Sequence, residues 1–155
     1  MVRMMMKKIS GVVDNSEKEI TRRVAVAAGT LAMSKTTFKI LMKDGSPKGN
    51  VWEAAKMAGV IAAKKTPDLI PLCHPLELNK VNVHFETDAK KCLVKSCVEV
   101  IYVGRTGVEM EALTAVSASL LTIYDMMKWA DKGMTIKDIK LIHKSGGKSG
   151  TFERR

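Results

Sequence analysis

The chain has 155 residues, 46% of them hydrophobic and 27% charged, with a formal net charge of +10. That is the make-up of one globular domain large enough for its own core, and no apolar run approaches the roughly 18 residues of a membrane span. Aromatic residues make up only 5%, too few for base-stacking platforms, so nucleic acid is a poor partner.

The first residues, Met1-Val-Arg-Met-Met-Met-Lys-Lys8, are basic. They lack a following apolar stretch and a small-residue cleavage site, so they read as the lead-in of a cytoplasmic protein rather than a signal peptide. Residues 1–19 carry few packing signals and are expected to be a flexible lead-in to a single domain over 20–155. Thr21 to Lys35 mixes alternation with β-branched residues and predicts a first strand, bent at Gly29. Lys43-Asp-Gly-Ser-Pro-Lys-Gly49 is a turn-rich loop. Asn50 is a plausible N-cap for an Ala-rich helix from Val51 to Lys65, ended by Pro67. Two prolines stiffen the Pro71-Leu-Cys-His-Pro75 loop.

Val81, Val83 and Phe85 alternate with polar residues as a second strand, and Leu93 to Val103 is a third. A long helix follows from Gly107 to Lys128. Leu113, Val116, Leu120, Tyr124 and Met127 form one apolar stripe on it. The opposite side (Ala112, Ala115, Ala118, Ser119, Thr122 and Met126) is small or weakly polar. No charge occurs from Ala112 through Tyr124, which predicts burial on more than one side. Ile136 to His143 is a fourth strand, and a Gly/Lys-rich flexible tail closes the chain. This order predicts an α+β fold of the ferredoxin-like split βαβ type, an antiparallel sheet with helices on one face. The other face of such a sheet is left for solvent or a second subunit.

Several side chains invite chemistry. Asp125 and Lys128 lie about 60° apart in helical projection, so their side chains can meet. On an ordinary surface such a pair is worth a few tenths of a kcal/mol. Here the charge-free turns before it predict a crowded, partly dehydrated place where a lysine is poised near neutral pH. Thr106-Gly-Val-Glu109 has capping-box spacing. Glu111 has no cap role and projects toward the Asp125 side, which makes it the better functional candidate. His74 in its proline-braced loop reads as a hydrogen-bonding group or proton carrier. Adjacent Cys73 and His74 are a poor metal signature, and the three cysteines (Cys73, Cys92, Cys97) form no Cys-x-x-Cys pair, so no disulfide framework or zinc site is expected. Lys144-Ser-Gly-Gly-Lys-Ser-Gly150 is not a nucleotide-binding P-loop, because Ile142 stands where that pattern needs Gly and no helix follows. Lys144 and Lys48 remain candidate phosphate ligands. The positive charge reads either as solvated lysine faces or as the complement of an anionic partner, and a small polyphosphate fits better than a polymer.

Four segments occur together in this order: Pro71-Leu-Cys-His-Pro-Leu76, Thr106-Gly-Val-Glu-Met-Glu-Ala-Leu-Thr-Ala115, Thr122-Ile-Tyr-Asp-Met126 and Lys144-Ser-Gly-Gly-Lys-Ser149. The combination closely resembles the cyclic pyranopterin monophosphate synthases, the C-protein family of molybdenum-cofactor biosynthesis. Lys48-Gly before the first predicted helix and Val12-Val-Asp near the start match as well. The resemblance runs over nearly the whole chain from Val12. Asn50, where Asp is common, and Pro47, where His is common, depart from it.

The resemblance implies a lyase acting on 3′,8-cyclo-7,8-dihydroguanosine 5′-triphosphate, a compound made from GTP by a radical S-adenosylmethionine enzyme upstream. The product would be cyclic pyranopterin monophosphate, with pyrophosphate released. It implies a homohexamer, a trimer of dimers with active sites at subunit interfaces, and no protein-held cofactor, with Mg²⁺ on the triphosphate left open. By matched position, Asp125 and Lys128 are the catalytic pair. Leu72, Cys73 and His74 form one substrate-binding loop, and Met110 with Glu111 forms the second segment. Lys48 and Lys144 serve the phosphates, with Arg22 and Arg23 as further candidates. Two other classes stand beside this one: an RNA-binding ferredoxin-like module, disfavoured by the missing aromatics, and a regulatory module that binds nucleotide without turnover.

Overall fold

The computed structural model describes residues 11–155; the first ten residues of the expected 1–19 lead-in lie outside the described residues. Alternation at every second position makes Thr21–Ala32 a strand, β1, whose Ala25, Ala27 and Leu31 are fully buried. Then come α1 (Lys35–Lys43), α2 (Val51–Lys64), the short α3 (Thr66–Leu69), β2 (Lys80–Asp88), β3 (Leu93–Gly104), α4 (Glu109–Met127), β4 (Thr135–Ser145) and β5 (Phe152–Glu153). The sheet order is β2-β3-β1-β4-β5, with every pair antiparallel. This is the expected ferredoxin-like arrangement extended by one short edge strand.

Three expectations need correction. β1 stops at Ala32 instead of reaching Lys35, because Ser34 caps a helix: its hydroxyl accepts from the Thr37 amide, and Lys35 begins α1. β1 runs continuously through Gly29, and its pairing with β4 shifts register between Val26 and Ala27 and again across Gly29. Pro67 does not end the Ala-rich helix. α2 stops at Lys64, and Pro67 sits in the first turn of α3, where its missing N–H goes unused. The tail is not a free end: it turns at Gly146-Gly147 and returns as β5 against His143 and Lys144.

α4 packs on β1, β3 and β4, and α2 packs beside it against β2. Val116, Leu120, Ile123 and Met127 are fully buried, whereas Leu113 and Tyr124 of the expected stripe are half-buried. Each fully buried Leu or Ile contributes about 1.5–3 kcal/mol. Ala112, Ala115 and Ser119 are buried toward α2 as well. The two helices approach closely because Gly59 has no side chain: a Cβ there would lie 3.0 Å from Val83 Cγ2 and 3.3 Å from the Ala115 carbonyl. One hydroxyl in this core, Ser119 Oγ, is satisfied by Ser96 Oγ at 2.7 Å. α4 is thus buried on two sides, as its charge-free sequence predicts. Its third side, Met110, Thr114, Ser117, Leu121 and Asp125, faces outward, with Leu121 57% exposed.

Among the described residues no helix is long and apolar enough to cross a membrane.

Candidate active site

The candidate residues gather at the two ends of α4. Met110 and Glu111 stand in its first turn, Asp125 in its last, and Lys128 is its C-cap residue. At 1.5 Å of rise per residue, Glu111 and Asp125 are about 21 Å apart along the axis.

At the C-terminal end, Asp125 sits between two lysines. Lys128 Nζ lies 2.8 Å from Oδ1 and Lys48 Nζ 2.9 Å from Oδ2. Lys48 comes from the loop between α1 and α2. That loop is pinned to the helix end by the Ser46 hydroxyl, which donates to the Met126 carbonyl at 2.6 Å and accepts from the Lys48 amide at 3.2 Å. One otherwise unpaired helix carbonyl therefore fixes the lysine. Hydrogen bonds from Lys128 and then Lys48 hold the Asp125 carboxyl down to about 2, and Asp125 in turn holds the Lys128 ammonium above its usual range. The expected dehydrated lysine poised near neutrality is not found within one chain. All three side chains are about half-exposed, and the dominant influence on Lys128 is the partner carboxylate rather than burial.

At the N-terminal end, the expected capping box does not form. The N-cap is Val108, with no side-chain hydrogen bond. Glu109 turns instead toward Lys144, 3.4 Å away. Gly107 permits this, since a Cβ there would occupy the place of the Glu109 carboxylate. Glu111 is 3% exposed. Burial first, and the nearby Glu109 charge second, push its carboxyl up to about 7. Cys73 faces it; burial and then the Glu111 charge raise the thiol, which keeps it protonated and poorly nucleophilic at neutral pH. His74 Nε2 lies 2.6 Å from the Val13 carbonyl. A carbonyl only accepts, so Nε2 carries the proton and Nδ1 stays available to a ligand.

A cavity of about 260 Å³ joins Leu72, Cys73 and His74 to Met110 and Glu111. Beside it lies a larger one of about 580 Å³. The two share Lys18, Thr106, Gly107 and Glu109 as lining residues. Lys144 and Arg23 line the larger cavity, together with Lys18, Arg105 and Lys148, against only two carboxylates, Glu19 and Glu109. The excess of positive charge, with polar groups converging from β1, β4 and the turns, suits a phosphate-bearing ligand. Thr21 Oγ1, buried and without a hydrogen-bond partner among the described residues, belongs to the same wall.

Of the two candidate arginines, Arg23 belongs to this cavity. It is 8% exposed and donates from Nε to the Gly104 carbonyl, whereas Arg22 is exposed. Its guanidinium lies over Gly147, whose φ is +78° and where a Cβ would collide with it. The Gly-Gly turn that resembled a phosphate loop therefore makes room for an arginine. Lys18 and Arg105 escaped sequence reasoning. Arg105 Nε donates to the Lys18 carbonyl at 3.0 Å and so fastens the lead-in over the cavity, a contact that leaves no periodic signal. Among the described residues no group of three or more His, Cys, Asp or Glu converges as a metal site.

The family model for the MoaC family matches residues 12–147. The chain is 50% identical over 149 residues to the cyclic pyranopterin monophosphate synthase of Parvibaculum lavamentivorans, covering 96% of this chain and 93% of the relative. It is 55% identical over 140 residues to the protein of the same name from Desulforapulum autotrophicum, covering 90% and 86%. With that of Staphylococcus aureus strain MSSA476 it shares 51% identity over 146 residues, covering 92% and 89%.

Proposed function

The chain belongs to the MoaC family, and on that premise we propose that it converts 3′,8-cyclo-7,8-dihydroguanosine 5′-triphosphate to cyclic pyranopterin monophosphate and pyrophosphate, an early step of molybdenum-cofactor biosynthesis. The observation that carries the reading is the basic double cavity at the start of α4, where a buried carboxyl near neutrality meets His74 on one side and Lys144 and Arg23 on the other. The purine-derived rings take the smaller part and the phosphates the larger.

The reaction is an acid–base rearrangement without a redox step. Glu111, close to half-protonated at pH 7, gives or takes a proton at the ring atoms, and His74 Nδ1 accepts one. Asp125 and Lys128 are the catalytic pair. Lys128 donates to the developing negative charge, the ionised Asp125 carboxylate holds it in place, and the proton released when a ribose oxygen attacks phosphorus leaves with the pyrophosphate. Lys48, Lys144 and Arg23 neutralise the triphosphate and then the pyrophosphate leaving group. No protein-held metal is assigned to these steps, and Mg²⁺ travelling with the triphosphate is compatible with them.

The catalytic pair and the cavity are too far apart within one chain to act on one substrate. The outward stripe of α4 supplies the remedy. Met110, Thr114, Ser117, Leu121 and Asp125 recur at spacings of three and four, the geometry of a helix seam. Two copies of α4 packed antiparallel about the small residues Ser117 and Ala118 would set Asp125 of one chain across from Met110 of the other. A two-fold contact of this kind builds two complete sites at once. The exposed apolar side chains Leu121 of α4 and Met57 and Ile61 of α2 support this use of the face. Three such dimers make the homohexamer. The substrate comes from a radical S-adenosylmethionine enzyme acting on GTP. Three free cysteines suit a reducing cytoplasm.

Incubation with the cyclised dihydro-GTP tests the reading directly. Stoichiometric pyrophosphate and the cyclic pterin monophosphate are expected; tight binding without turnover would leave a nucleotide-sensing module instead.

A further inference from the structure

We propose that the face formed by α1 and the β2–β3 hairpin docks an acidic, amphipathic segment of another protein. Lys35, Lys39 and Lys43 are all exposed and repeat at intervals of four along α1, one row on the helix surface. Two grooves of about 570 and 340 Å³ lie beside that row, and Met42, 51% exposed, is the ridge they share. Phe38 and Cys92 floor the larger groove, and Trp52 and Phe85 floor the smaller. The Trp52 and Phe85 rings are tilted against each other with centroids 5.6 Å apart. Lys56 lines the smaller groove as well, and no carboxylate lines either. Lys90 and Lys91 add two exposed charges from the hairpin tip, held there because both amides donate to Asp88 Oδ1.

Lys43 in the last turn suits the helix dipole, but the start of the row and its spacing run against the helix's own electrostatics. Lys35 stands at the positive end of the helix dipole, the first turn contains no acid, and like charges four apart repel. Local stability does not account for it; an external anion does. An apolar floor with a charged rim is the layout of a protein interface, in which an apolar anchor enters the groove and the rim sets orientation and on-rate. A second copy of this face is excluded by like charge. Nucleic acid is disfavoured because Phe38 is buried and Trp52 and Phe85 are half-buried and packed on each other, leaving no free ring face for a base. A lipid plane does not follow two grooves on either side of a ridge.

The probe is a fluorescein-labelled twelve-residue helical peptide with Leu and Phe on one face and Glu on the other, titrated against the full-length protein at low salt. Saturable binding is expected, weakened at least about tenfold by 0.5 M NaCl, by Lys39→Glu/Lys43→Glu and by Met42→Asp. Turnover, circular dichroism and oligomer mass should stay unchanged in both variants. The charge control Lys137→Glu/Lys140→Glu on β4 should bind as the parent does, and an all-Glu peptide at least about tenfold more weakly. Equal binding of the all-Glu peptide, equal loss in the β4 control, or no saturable binding overturns the proposal. Displacement by an RNA hairpin or anionic vesicles would reassign the face to those ligands. A changed oligomer mass in Lys39→Glu/Lys43→Glu would reassign it to contact between copies.

Discussion

Lys48 and Asp125, 77 positions apart in the chain, meet at 2.9 Å, and Lys128 closes on the other carboxylate oxygen at 2.8 Å. The carboxylate thus holds two ammonium groups at one end of α4. Asp125→Asn removes the charge that binds them, and Lys128→Ala removes the donor. Each should lower kcat/KM by about 10²–10⁴, with oligomer mass and circular dichroism unchanged. Because Asp125 stays ionised to about pH 2, the acid limb of the parent's pH–rate profile belongs to another group. Near-parent turnover in both variants would remove the pair from the mechanism.

Glu111 supplies that titration near neutrality. Its carboxyl is raised from an ordinary 4.5 to about 7 in the folded chain. Between those values the folded state binds more protons than the unfolded one, so stability should fall as pH rises from 4.5 to 7 and level off above. The whole drop is at most about 3 kcal/mol. Glu111→Gln, which keeps the shape and the neutral form, should flatten this slope in urea unfolding at pH 5 and 8. It should also cost about 10²-fold in turnover. A stability slope unchanged by the substitution would mean that Glu111 does not titrate in this range.

The Gly147 turn gives a finer test. Gly147→Ala and Gly150→Ala both place a Cβ at positive φ, +78° and +69°, but only the first meets another group, the Arg23 guanidinium. Gly150→Ala should cost about 1 kcal/mol of stability, and Gly147→Ala more, because its Cβ also has to displace the Arg23 guanidinium. Only Gly147→Ala should raise KM, by about tenfold or more, since it displaces Arg23, the proposed phosphate ligand. Equal KM values for the two would remove Arg23 from the cavity's function.

Much of this was legible in the sequence because it is local. The charge-free run of α4 and the three-residue spacing of Asp125 and Lys128 follow helical periodicity, and the structure brings those two side chains together. α1 was not legible. Its Thr36, Thr37 and Phe38 are weak helix formers, and its signal is a single Ser34 cap with three lysines in a row. Lys18 and Arg105 act through a main-chain carbonyl, and Lys48 reaches Asp125 only by tertiary contact. The Thr106–Glu109 spacing fits a capping box, yet Glu109 is drawn to Lys144, an ion partner that local pattern does not reveal.

The central claim is that one active site is built from two chains. Lys128→Ala and Glu111→Gln should each be nearly inactive alone, because each spoils both sites of its own dimer. After co-refolding in equal amounts, random pairing makes half the dimers mixed, and each mixed dimer has one intact site and one doubly altered site. Activity should then return to about a quarter of the parent's, per subunit. A mixture no more active than the two variants measured separately, with exchange of subunits verified by mass, would contradict the shared site.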